Sequence, residues 1–193
     1  IVNTLLEHDA KPDAPEYESS TPLYAAAMNG HLEIVKLLAD TNAKYEDAVK
    51  QDGTTPLHAA CMNGHIGIAK YLAAKYTNVN RKDNSGMTAL HHLAAYKGEG
   101  AGLSAEYQRK TVVVALIKAG ADLEVKDDSG NTALHIAASN GKDFLLKELI
   151  KQGANREALN GLSQTPLHCL ALDAELEFLD GEYFQASSTH VSC

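Results

Sequence analysis

Apolar residues recur along this chain in pairs of short runs separated by a polar break. In "TPLYAAAMNGHLEIVKLL", residues 21–38, a run of small residues ends at Asn29-Gly30 and a second apolar run follows. Ile34, Val35, Leu37 and Leu38, and later Val112, Val113, Ala115 and Leu116, lie about one turn apart, the stripe of a helix that packs on one side. The pattern predicts two short helices per unit. Threonine precedes the first helix as an N-cap, and proline or alanine occupies its first position, where a missing N–H is harmless. Glycine closes it at Gly30, Gly64 and Gly141 as a left-handed residue past the C-terminus. Helices of about ten residues are marginal alone because nucleation is costly. Stacked on copies of themselves, they share a continuous core.

Copies are present. "TPLY" at Thr21, "TPLH" at Thr55, "TALH" at Thr88, "TALH" at Thr132 and "TPLH" at Thr165 form one motif, with steps of 34, 33, 44 and 33 residues. Between units, "KDNSG" (82–86) and "KDDSG" (126–130) read as hairpin tips. With A-A, N-G-H, L-L and G-A-D at matching spacing, the chain resembles the ankyrin repeat family over almost its whole length. That resemblance implies an all-α, curved solenoid of hairpin–helix–loop–helix units, with hairpins and first helices lining the concave side. The expected division of a single domain, residues 1–193, is a partial repeat at 1–15 and repeats at 16–49, 50–82, 83–126, 127–159 and a divergent 160–193.

Departures from the repeat mark individual expectations. The tip glycine is kept at Gly53, Gly86 and Gly130 but replaced by Ser19 and Ser163. The glycine of "GAD" is kept at Gly120 and Gly153, whereas Asp9, Asn42 and Tyr76 stand in its place elsewhere. A left-handed Tyr76 would cost about 1 kcal/mol or more, so the early repeats are expected to be less regular. The 44-residue step holds an insertion of 11 residues within repeat 83–126. Matching its "LAA" leaves one extra residue in the first helix, at His91-His92. A glycine-rich loop (Gly98, Gly100, Gly102) follows, and the second helix is lengthened backwards to about Ala105 with Ser104 as its cap. In the last unit, Asp173, Glu175, Glu177 and Asp180 offer a polar outer face. The chain opens at Ile1 with no initiator Met or basic-then-apolar leader and reads as part of a longer protein.

Composition narrows the function. A net charge of -8 argues against nucleic acid and anionic membrane as partners, and no window approaches a membrane span. Cys61, Cys169 and Cys193 have no metal spacing and read as free thiols of a reducing, intracellular compartment, cytoplasm or nucleus. Six of nine histidines are repeat positions: His58, His91, His135 and His168 in the motif, His31 and His65 after the inter-helix glycine. They are spaced along the chain instead of converging on one point, so a structural role is expected. Adjacent helix residues point about 100° apart, which argues against His168 and Cys169 as a catalytic pair. No phosphate loop or nucleophile elbow is present. Neither catalysis nor a cofactor or metal is expected.

What remains is surface. Positions without a core duty are Tyr17, Glu18, Met28, Asn29, Gln51, Asp52, Thr54, Met62, Asn63, Asn84, Met87, Tyr96, Asn131, Ser139 and Asn140. All three methionines fall in this set, and methionine adapts its shape at binding surfaces. The reading is a monomeric protein-interaction module that binds another protein on this face. The alternative is a recognition or regulatory arm of a larger enzyme, channel or effector. "LAAKYTNVN", 72–80, also resembles the spacing at which asparagines of ankyrin hairpins are hydroxylated in animal cells, with Asn80 the candidate.

Overall fold

The computed structural model describes residues 4, 8, 11, 20–41, 50–96 and 103–172, with the backbone alone at 103–106. Four short first helices alternate with four second helices: α1 Pro22–Met28, α2 Leu32–Thr41, α3 Pro56–Met62, α4 Ile66–Lys75, α5 Ala89–Ala95, α6 Leu103–Lys118, α7 Ala133–Ser139 and α8 Asp143–Lys151. A further helical stretch covers 166–172, and no strand occurs among the described residues. First helices pack on first helices in the order α1, α3, α5, α7, and second helices stack as α2, α4, α6, α8, each layer packed on the other. The fold is the all-α stack that the repeats imply.

Local chemistry explains each boundary. Thr55, Thr88 and Thr132 donate their backbone N–H to Nδ1 of His58, His91 and His135 at 3.0, 3.1 and 3.2 Å. Threonine and histidine thus close the helix start reciprocally, as a capping box does. At the other end the side-chain amides of Asn29, Asn63 and Asn140 donate to the carbonyls of Ala25, Ala59 and Ile136. The next residue, Gly30, Gly64 or Gly141, turns left-handed. The core between layers is built from aliphatic side chains: Leu23, Leu57, Leu90 and Leu134 from the first helices, and Val35, Leu72, Leu116 and Leu149 from the second, all buried. Each contributes about 2 kcal/mol of burial, which the isolated pair could not collect.

Hairpins are joined by backbone. Asn84 N–H donates to Asp52 O at 2.9 Å, Asp128 N–H to Ser85 O at 3.1 Å and Gly161 N–H to Ser129 O at 2.9 Å. Glycine at the tip is required twice over. Gly86 has φ +72°, and a Cβ there would lie 2.8 Å from the Asp128 nitrogen that makes the bond. Ser163 nevertheless takes the same left-handed turn at φ 59°.

Three expectations are corrected. Tyr76 is not left-handed: it ends α4 at φ -70°, ψ 137°, with its N–H donating to Leu72 O. The extended turn lets its ring enter the core, where it is buried. The first helix of repeat 83–126 carries no extra residue, since α5 has seven residues like α1, α3 and α7. His92 occupies the slot of Ala59, and Leu93 and Ala94 take those of Ala60 and Cys61. Finally, α6 starts at Leu103, so Ser104 lies inside its first turn instead of capping it; the backward lengthening itself is observed. The partial repeat 1–15, apart from its residues 4, 8 and 11, together with Ser19, Asn42, the 97–102 loop and everything after Leu172, lies outside the described residues.

Candidate partner-binding face

Met28 and Met62 close α1 and α3 at the same position of successive repeats, and they are 42% and 41% exposed. The stack brings them onto neighbouring helices, with His65 Nε2 donating to Met28 O at 2.9 Å. Ala95 and Ser139 hold the slot in the next two repeats, so the apolar line fades along the array. Met87 is half-buried at the exit of its hairpin, with its N–H on Asp83 Oδ1.

Other expected positions divide by what their side chains already do. Gln51, Asp52 and Asn84 are exposed at the hairpins. Asn29, Asn63 and Asn140 are committed to helix ends, as described above. Thr54 is corrected: it is 4% exposed, because its hydroxyl donates to Asp52 Oδ1 at 2.5 Å and meets Tyr24 Oη at 3.2 Å. Tyr96 is half-buried, its ring against Gly64 and under Arg109, whose guanidinium carbon lies 5.1 Å from the ring centroid. Tyr17 and Glu18 are outside the described residues.

Hairpins and first helices do share a groove. It has a volume of about 970 Å³ and runs along the hairpin tips 126–131 and 160–164 and the outer side of α7. Asn131 and Ser139, singled out from the sequence, line it together with Ile136, Asn160, Leu162 and Gln164, which were not. Asn160 donates to Asn131 Oδ1 at 3.0 Å, so these amides form one row across two repeats. The signal was available: Asn160 and Gln164 stand where Asp127 and Asn131 stand one repeat earlier.

The remaining chemistry is structural. His58 Nε2 donates to Arg81 O, His91 Nε2 to Asn131 O and His135 Nε2 to Gln164 O, at 3.0–3.1 Å. Each motif histidine therefore ties its helix to the next hairpin. Burial, then the nearby His92, pushes the His58 pKa down to about 4. Its Nδ1 already faces the Thr55 N–H, which leaves no place for a proton. His92 is buried and donates to Asp83 Oδ2 at 2.7 Å. Burial raises the Asp83 carboxyl, but bonds from His92, Met87 and Ser85 outweigh it and hold the pKa below its ordinary value. Cys61 is fully buried and burial pushes its thiol up to about 12, so it is unreactive. No cluster of three metal-binding side chains occurs among the described residues.

A family model described as Ankyrin repeats (3 copies) matches residues 1–83, 43–102 and 102–180. The chain belongs to the ankyrin repeat family. It is 32% identical over 168 residues to human Ankyrin repeat and SOCS box protein 16, covering 87% of this chain and 36% of that protein. It is 30% identical over 160 residues to the Caenorhabditis elegans Transient receptor potential cation channel subfamily A member 1 homolog, covering 83% of this chain and 10% of that protein. Human Protein phosphatase 1 regulatory subunit 27 is 37% identical over 82 residues, 42% of this chain and 46% of that protein. The chain thus spans less than half the length of each of these relatives. Ankyrin repeats are generally protein-interaction modules, not catalytic ones. No helix among the described residues is long and apolar enough to cross a membrane.

Proposed function

We propose that this ankyrin stack is a monomeric protein-interaction module that captures another protein on its hairpin and first-helix face. The observation that carries the reading is the pair Met28 and Met62, adaptable apolar side chains left exposed at one repeat position while Leu23, Tyr24, Ala26 and Ala27 of α1 and residues 56–61 of α3 pack inward. Gln51, Asp52, Asn84, Asn131 and Ser139 supply the polar surround. The net charge of -8 favours a neutral or basic protein partner over nucleic acid, in an intracellular compartment, cytoplasm or nucleus. We propose for it the same repeat boundaries that the sequence suggests.

The test is a dissociation between binding and stability. Affinity capture identifies a partner, and titration with that purified partner then compares the chain with Met28→Ala, Met62→Ala. Truncating two anchors is expected to cost about 1–3 kcal/mol each in binding, with the melting temperature nearly unmoved. A variant that melts several degrees earlier and still binds would place the methionines in the core and remove the reading. A second reading, an arm of a larger enzyme, channel or effector, is favoured by the relatives' lengths, since the chain matches only 10% of the channel homologue.

Asn80 is proposed as a hydroxylation site. Its amide donates to Gly120 O and its Oδ1 accepts from Asp122 N–H, both at 2.8 Å, so it braces the next repeat's loop. Mass spectrometry of the protein from its native cells checks this, and an Asn80 peptide without added oxygen removes it.

A further inference from the structure

The second-helix side carries a groove that the first-helix reading does not use. It lies between α4 and α6, has a volume of about 310 Å³, and its wall is one continuous face of α6. Tyr107, Lys110, Thr111, Val114, Ala115 and Lys118 follow one another at i, i+3, i+4, i+7, i+8 and i+11, the spacing of a helix face that meets something. The opposite side of α6 already meets the core, through Val112, Val113 and Leu116 at 0% exposure. This helix therefore carries apolar residues on two sides, those of the groove set among lysines, unlike α2 and α8, whose apolar residues gather on one. Tyr107 is 65% exposed and belongs to the added turns of the insertion, which have no counterpart in α2, α4 or α8.

The charge of the groove identifies its occupant. Lys70 from α4 joins Lys110 and Lys118 around an apolar floor, and among the described residues no aspartate or glutamate lines it. This is a local cationic ring on a chain of net charge -8. Lys110 leans on Glu148 at 3.5 Å at the edge, whereas Lys70 and Lys118 have no ion pair among the described residues. We propose that this groove docks an acidic amphipathic segment of a partner protein, its apolar side chains on Tyr107, Val114 and Ala115 and its carboxylates on the three lysines. A single segment meets only this local ring, whereas a broad anionic membrane or a second copy of the chain would also face the rest of a surface whose net charge is -8.

The probe is a labelled synthetic helical peptide of about four turns, with leucine at i, i+3, i+4, i+7 spacing and glutamate elsewhere. It is titrated with the whole chain by fluorescence anisotropy. Saturable binding is expected to weaken about tenfold in Lys70→Glu, Lys118→Glu and about as much in Tyr107→Ala, and to fall with added salt. Met28→Ala, Met62→Ala should leave it unchanged, which separates this groove from the first-helix face. Lys70→Gln, Lys118→Gln, with an unchanged melting curve, guards against misfolding of the charge-reversed chain. Equal binding of a peptide with glutamine in place of glutamate overturns the proposal, as does the absence of saturable binding. So does displacement of the peptide by phosphatidylserine vesicles, or self-association that disappears in the lysine variants.

Discussion

Repeats 83–126 and 127–159 share a motif and differ in how they are held. In the second, α7 and α8 meet the pattern at every slot: Thr132 and His135 close the start, Asn140 and Gly141 the end, and α8 is nine residues long. In the first, a buried His92 replaces a small or aliphatic residue, Tyr96 replaces the capping asparagine, and α6 runs for 16 residues. The irregular repeat compensates with charge. Its hairpin aspartate, Asp83, binds His92 as well as the N–H groups of Ser85 and Met87, whereas among the described residues Asp127 accepts hydrogen bonds from Ser129 and Asn131 of its own hairpin alone. Regular repeats are held by packing and backbone, and the irregular one adds a buried ionisable link. The two should respond differently to acid and to loss of a carboxylate.

The largest expected effect is that of pH at the boundary of the irregular repeat. His58, which faces His92 at a ring separation of 5.4 Å, has its folded pKa lowered from 6.5 to about 4. A lowered histidine pKa favours the neutral form in the fold. Its stabilisation is complete above pH 6.5 and is lost as pH falls towards 4, by about 3 kcal/mol at most. Urea unfolding at a series of pH values measures this, and His58→Gln should remove that share of the slope. Next in size is the carboxylate comparison. Asp83→Ala strands a buried ring donor and two amides and should cost about 2–3 kcal/mol, while Asp127→Ala should cost about 1 kcal/mol. Equal losses in denaturant melts would erase the distinction between the repeats. The smallest effect carries the comparison to the next hairpin. Ser163→Gly relieves a left-handed serine and should raise stability by about 0.5–1 kcal/mol, read as a higher melting temperature.

Most of the architecture was legible because each motif residue has a local duty. Threonine, histidine, asparagine and glycine act within one turn of themselves, so their spacing carries the helix boundaries directly. The errors arose where a residue's role depends on a distant neighbour. Thr54 looked like surface until Tyr24, 30 positions earlier, placed a hydroxyl against it. Tyr76 looked like a strained stand-in for glycine, but the core had room for its ring and the backbone followed an extended path. The "LAA" match suggests an extra residue in α5, whereas helix length is set from the threonine forward. The binding face was legible only in part. Exposure of Met28 and Met62 follows from repeat position, but the amide row through Asn160 and the basic groove beside α6 form only when separate repeats stack.

The histidine links give the array a direction. His58, His91 and His135 each reach forward to a carbonyl of the following hairpin, and Tyr24, in the histidine slot of repeat 16–49, reaches forward to the side-chain hydroxyl of Thr54. An opening between two repeats therefore bares unlike surfaces: an imidazole on the side that precedes the gap and a carbonyl on the side that follows it. At the first two such gaps burial holds the imidazoles of His58 and His91 below their ordinary pKa, so baring either one lets the preceding side take up a proton. His168, on the last described helical stretch, keeps the local bond to Thr165 and is exposed.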